Sequence, residues 1–137
     1  MTKEKVHTVE GYWDGPIAGV ADFEAKPHYY DVFEDSDDVD EYNIVYTLTP
    51  LSEAVFALVK KNRDILLRWN AAYEAGKSDF DSQPALPEDK EAYFDAKKQI
   101  DRFLFQNAGN GFEKKGYFTV LKTASNPLLE EFEVVWS

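Results

Sequence analysis

The chain has 137 residues, 44% of them apolar and 15% aromatic, which suffices for one compact domain with a sizeable core and is short for two. It contains no cysteine, so disulfides, thiolate zinc sites and a cysteine nucleophile are all excluded, in keeping with a reducing compartment. Its formal net charge of −11 disfavours nucleic-acid phosphates and anionic lipid as partners and favours a basic protein.

The charge is uneven. Residues 1–50 hold three lysines against twelve carboxylates, a balance of −9, which leaves −2 for residues 51–137. No apolar run is long enough to span a bilayer, and "MTKEKVHTVE" lacks the apolar core of a signal peptide, so the expected setting is cytoplasmic with no membrane partner.

Taken in chain order, "KVHTVE" (5–10) reads as a short strand. "GYWDGPIAGVADF" (11–23) follows, where Asp14 and Gly15 supply turn chemistry and Pro16 fixes the exit. "GVADFEAKPHYYDVFE" reads as two strands around a turn at Glu24 to Lys26, since Pro27 cannot donate to a ladder and belongs at a strand start or an edge. "YNIVYTLT" alternates Tyr42, Ile44, Tyr46 and Leu48 against Asn43, Val45, Thr47 and Thr49, the pattern of a half-buried strand. The next segment offers cover for its apolar face: from Val55 to Tyr73 apolar residues recur at spacings of three and four, with Thr49 as N-cap, Pro50 at the first helical position and Gly76 just past the end. "KSDFDSQPALPED" breaks this helix, and a second runs from about Pro87 to Asn107 with Glu88, Asp89 and Glu91 in its first turn. "GYFTVLKT" and "EFEVVW" close the chain as strands. The expectation is a single α+β domain over residues 1–137: a mainly antiparallel sheet of about five strands, order βββααββ, with two helices packed on one face.

Catalytic signatures are scarce. The glycines at 11, 15 and 19 fit neither a dinucleotide turn nor a phosphate loop, and no serine lies in a nucleophile elbow. With only His7 and His28, and no HExxH or HxH spacing, no metal site is expected, and no cofactor. "EDSDDVDE" (34–41) has six carboxylates, but counting from Asp35 puts Val39 at the fifth place of a calcium loop and Asp40 where glycine belongs. Two readings of the run remain, a solvated self-repelling loop and a docking surface for a basic protein made of Asp35, Asp37, Asp38, Asp40 and Glu41. In "HYYDVF" both alternating sets are partly aromatic, so a strand here leaves an aromatic on each face. Trp13, Asp14, His28 and Tyr30 are therefore ligand-binding candidates, and the competing reading is a minor core in which the loop carrying Trp13 folds over that face.

"YWDGPIAGVADFEAKPHYY", the acidic stretch, "LTPLSEAVFALV", "RWNAAYEAGK" and "PALPED" together resemble a family of uncharacterised small bacterial proteins with a Tyr-Trp/Tyr-Asp-Gly-Pro opening and a later Pro-His-aromatic step. The resemblance spans about the first 90 residues, implies a bacterial cytosolic setting and transfers no site residue. Two functions follow from the residues. The first is a binding or regulatory protein, immunity- or antitoxin-like, whose acidic N-terminal half docks a basic protein. The second is a small-molecule enzyme using His28 and Asp14, with Asp22 as a further group, as acid and base in a pocket roofed by Trp13 and Tyr30. A second copy of the chain is a further candidate partner, through an uncovered sheet face or the strand "EFEVVW".

Overall fold

The computed structural model describes residues 2–33 and 44–137. Among these, six strands and two long helices follow one another as ββββααββ: β1 (Glu4–Tyr12), β2 (Pro16–Phe23), β3 (Lys26–Val32), β4 (Val45–Pro50), α1 (Glu53–Glu74), α2 (Lys90–Gln106), β5 (Phe112–Lys122) and β6 (Glu131–Trp136). The α+β class and the antiparallel pairing agree with the sequence. The order βββααββ is one strand short, because each of the four N-terminal runs forms a strand of its own. Residues 1–51 and 107–137 make one compact unit, which holds the strands; residues 52–106 make a second, which holds the helices.

The strands pair antiparallel in chain order and β6 returns to β1, closing a barrel. Closure corrects the expected source of cover for β4. Its buried Tyr46 and Leu48 join Ala21, Tyr30 and Val134 in a core that the barrel builds from its own strands, with Phe112, Phe118 and Trp136 packed around it. A period-two pattern reports that one face is buried and is silent about what buries it. Closure also brackets β6, with Glu4 and Lys5 of β1 on one side and Gly116 to Lys122 of β5 on the other, so its hydrogen-bonding neighbours lie within the barrel.

Two turns at opposite ends of β2 set the geometry. Phe23 pairs with Lys26, leaving Glu24 and Ala25 as a two-residue loop with φ of 52° and 64°. Such a turn favours Asn-Gly, since side chains other than those of Asn and Asp resist the left-handed region. The Glu4 carboxylate offsets the misfit by accepting hydrogen bonds from the N–H groups of Glu24 and Ala25, both at 2.8 Å. At the other end Tyr12 pairs with Pro16 across Trp13, Asp14 and Gly15, and here Asp14 (φ 53°) and Gly15 (φ 140°) are residue types that tolerate positive φ. This confirms the turn expected from "WDGP".

Within the helical unit, α1 begins three residues later than its sequence suggests. Thr49 and Pro50 pair with Tyr29 and His28 as the end of β4, and Ser52 is the N-cap, its hydroxyl accepting from the Val55 N–H at 3.2 Å. The C-terminal end is as expected. Gly76 (φ 73°) donates to the Tyr73 carbonyl and Lys77 to that of Ala72, the paired bonds of a glycine-terminated helix. Pro87 to Asp89 form a single 3-10 turn that leads into α2. Side-chain bonds fix α1 antiparallel to α2: Asn62 Nδ2 donates to the Tyr93 carbonyl at 3.2 Å, and the Arg68 guanidinium grips both Asp89 oxygens at 3.1 and 3.0 Å. The buried Trp69 stacks on Tyr73 and donates its indole N–H to the Ser82 hydroxyl at 2.8 Å.

Candidate functional site

Four of the sequence-derived candidates fall in the barrel unit, and the structure distributes them along it. Trp13 stands at the tip of the β1–β2 hairpin with 80% of its surface exposed. It does not fold over "HYYDVF". The tip is ordered by the short span of the turn and by the Trp13 N–H, which donates to the Gly15 carbonyl at 2.9 Å. Asp14 is exposed on the same turn.

His28 and Tyr30 both occupy the barrel interior. His28 is 6% exposed; its Nδ1 lies 2.8 Å from the Lys26 carbonyl, and its ring meets those of Phe23 and Phe112 edge-on at 5.5 and 5.7 Å. A carbonyl partner requires that Nδ1 carry a proton, which orients the ring as a packing element. Tyr30 is fully buried, donates its hydroxyl to the Thr8 carbonyl at 2.9 Å and packs against Tyr46, Phe118 and Trp136. His28 pairs with Ala21, five residues along β2 from Pro16, so about 16 Å of strand separates it from the turn that carries Asp14. The structure brings neither Asp14 to His28 nor Trp13 to Tyr30.

Asp22 meets the other histidine. His7 Nε2 lies 2.8 Å from Asp22 Oδ1, with side chains 17% and 21% exposed, and the Trp136 indole donates to the Asp22 carbonyl at 2.9 Å. His7 is the extra residue of a β-bulge, since Val6 pairs with Ala21 and Thr8 with Val20. The pair was missed in the sequence because it depends on that register. The individual residues carry no signal for it, and a carboxylate-oriented imidazole on a bulge serves first as a tie between β1 and β2.

The five acidic partner-binding candidates, Asp35, Asp37, Asp38, Asp40 and Glu41, lie outside the described residues. The two ends of their segment are described. Phe33 follows β3, Ile44 precedes β4, and the Phe33 N–H donates to the Val45 carbonyl at 2.9 Å. These ends sit at the same end of the barrel as the Trp13 turn, because β3 runs antiparallel to β2 with Asp31 opposite Ala18. Lys3, Lys5 and Lys26, the lysines of the first fifty residues, belong to the opposite end, around the Glu24–Ala25 turn: Lys3 and Lys5 at the beginning of β1 and Lys26 at the beginning of β3. The helical unit has an open groove of about 380 Å³ lined by Lys61, Glu88, Glu91 and Asp95 among others. No group of three or more ligating side chains able to hold a metal occurs among the described residues, nor does a helix long and apolar enough to cross a membrane.

Comparison of the chain with protein-family models, with curated proteins and with solved structures returned no match. Any functional reading therefore rests on the chain's own residues.

Proposed function

We propose that this chain is a small acidic binding protein, of the immunity or antitoxin kind, that docks a basic protein through its acidic N-terminal half. The observation that carries the reading is the bias of charge toward the N-terminal half, −9 over residues 1–50 against −2 over residues 51–137. Six of the twelve carboxylates of residues 1–50 lie in the sequence between β3 and β4. An excess of negative charge attracts a cationic partner and speeds its encounter with the chain. The bacterial cytosol implied by the family resemblance is the setting that goes with this proposal.

The alternative, acid–base chemistry by His28 and Asp14, has no geometry in its favour, since the two residues sit at different ends of β2 and His28 is enclosed by aromatic rings. The test of the docking reading compares the native chain with a variant carrying Asp35→Asn, Asp37→Asn, Asp38→Asn, Asp40→Asn and Glu41→Gln as baits in extract of the source cell. The native bait should retain a protein of strongly basic composition, more at low salt than at high, and the variant should lose it. Equal retention by both baits would remove the acidic run from the mechanism.

A further inference from the structure

The strand behind Gly111 requires a glycine there. A Cβ built at that position would lie 2.8 Å from Thr47 Cγ2 and 3.4 Å from Thr49 Oγ1, so the backbone entering β5 passes β4 more closely than a side chain accepts without displacing Thr47. The residue before it is Asn110, the last of a single 3-10 turn, Ala108–Asn110. Asparagine before glycine is chemically distinctive, because a following residue without a Cβ lets its backbone nitrogen reach the asparagine carboxamide. Of the six asparagines in the sequence, Asn110 alone precedes glycine; Asn126 precedes Pro127, whose nitrogen has no proton to lose. The turn is also lightly held. Ala108, Gly109 and Asn110 are exposed, and a Cβ added at Gly109 would meet nothing within 4 Å. The Asn110 N–H donates to the Asn107 carbonyl at 2.9 Å, whereas the Gly111 N–H reaches the Ala108 carbonyl only at 3.4 Å, beyond the usual range. On the exposed side, Asn110 Nδ2 donates to Asn107 Oδ1 at 3.0 Å.

We infer that Asn110 is a site of spontaneous deamidation in the folded protein, and that the isoaspartyl product loosens the start of β5. The step needs water alone. The Gly111 nitrogen loses its proton and bonds to Asn110 Cγ, while the bond from Cγ to Nδ2 breaks and Nδ2 leaves with that proton as ammonia. Water then opens the resulting succinimide ring. Opening at the side-chain carbonyl gives aspartate on a normal backbone; opening at the main-chain carbonyl reroutes the backbone through Cγ and inserts a methylene between residues 110 and 111. Nothing is oxidised or reduced. The turn must open for the nitrogen to reach Cγ, and an exposed turn closed by one long hydrogen bond opens at small cost. Both products add a negative charge, but only isoaspartate lengthens the backbone. The insertion falls just before Phe112, which pairs with Leu48 as the first rung between β4 and β5 and packs its ring against Phe23 and His28 at 5.2 and 5.7 Å. Thr47 and Thr49 occupy the space behind Gly111, so the longer backbone has to bow away from β4.

The experiment ages the full chain in warm, mildly alkaline buffer, with a parallel sample unfolded in urea, and follows both by peptide mapping, mass spectrometry and electron-transfer fragmentation. In the folded sample the peptide carrying Asn110 should gain the mass difference between an amide and an acid, with isoaspartate among its products. Its rate should lie within about tenfold of that in urea, as a turn of low local stability predicts. Asn110→Gln, which cannot close the five-membered ring, should remove the conversion and leave the melting temperature unchanged. Conversion of Asn110 in urea but none in the folded chain would show that the turn protects it, and would overturn the inference. The isoaspartyl form, separated by anion exchange, should melt below both the native chain and Asn110→Asp, which carries the same added charge on a normal backbone. Melting of the isoaspartyl form together with Asn110→Asp would refute the loosening of β5.

Discussion

At Gly19 a methyl group would have to share space with the Thr8 carbonyl and with the Tyr30 hydroxyl that donates to it, neither of which has room to retreat inside the barrel. Gly19→Ala should therefore lower stability by about 1–3 kcal/mol in urea unfolding, with the cost arising from overpacking. Ala25 presents the opposite case. It holds a φ of 64° in an exposed two-residue turn, so Ala25→Gly should raise stability by about 1 kcal/mol by relieving the left-handed penalty. Gly15 and Gly19 differ in how far the sequence disclosed them. "GYWDGP" announces its turn through Asp14, Gly15 and Pro16, whereas Gly19, read as the first residue of a strand, lies in the middle of β2, where the approach of Tyr30 from β3 explains it. His28 was legible as an aromatic-strand residue; the choice between reactive and packed depended on Phe112, more than eighty residues away.

At the scale of elements, periodicity located both helices, the expected order counted five of the six strands, and "EFEVVW" matches β6 residue for residue. The boundaries depended on competition between neighbours. Thr49-Pro50 and Ser52-Glu53 are both credible helix starts, and strand pairing of Thr49 with Tyr29 decided for the second. The connection between the helices is held by Arg68 and Asp89. Hydrogen bonding from the Arg68 guanidinium holds the Asp89 carboxyl below its usual value, and the same bond raises that of Arg68. A depressed carboxyl stabilises the fold above its unfolded-state value, and that contribution is lost as pH falls through the acid range. Stability of the native chain should therefore drop on acidification with a component that Asp89→Asn lacks, a comparison made by thermal unfolding across pH 2–6. The pair is solvent-exposed, so added salt should shrink the difference.

For the whole molecule, the acidic balance and its N-terminal bias were plain in the sequence, and they remain the basis of the functional proposal. Barrel closure was not legible, because it depends on Glu4 and Lys5 finding Val134 and Glu133 across almost the entire chain. Closure has a measurable signature in Tyr46. Its phenol donates to the Pro16 carbonyl at 2.8 Å inside the barrel, and burial raises its ionisation far above the ordinary tyrosine value. The unfolded chain ionises near pH 10 while the folded chain resists, so this contribution is complete below that value and declines as pH rises beyond it. Alkaline titration of stability should fall more steeply for the native chain than for Tyr46→Phe; equal slopes would place the phenol in contact with water.

Docking of a basic protein through the acidic N-terminal half is the central claim, and zero-length carbodiimide cross-linking of the chain to the basic protein it retains, followed by peptide mapping, tests it most directly. The links should involve Asp35, Asp37, Asp38, Asp40 and Glu41, joined to lysines of the partner. Links confined to Glu88, Glu91 and Asp95 in the groove of the helical unit would contradict the account and move the interface there.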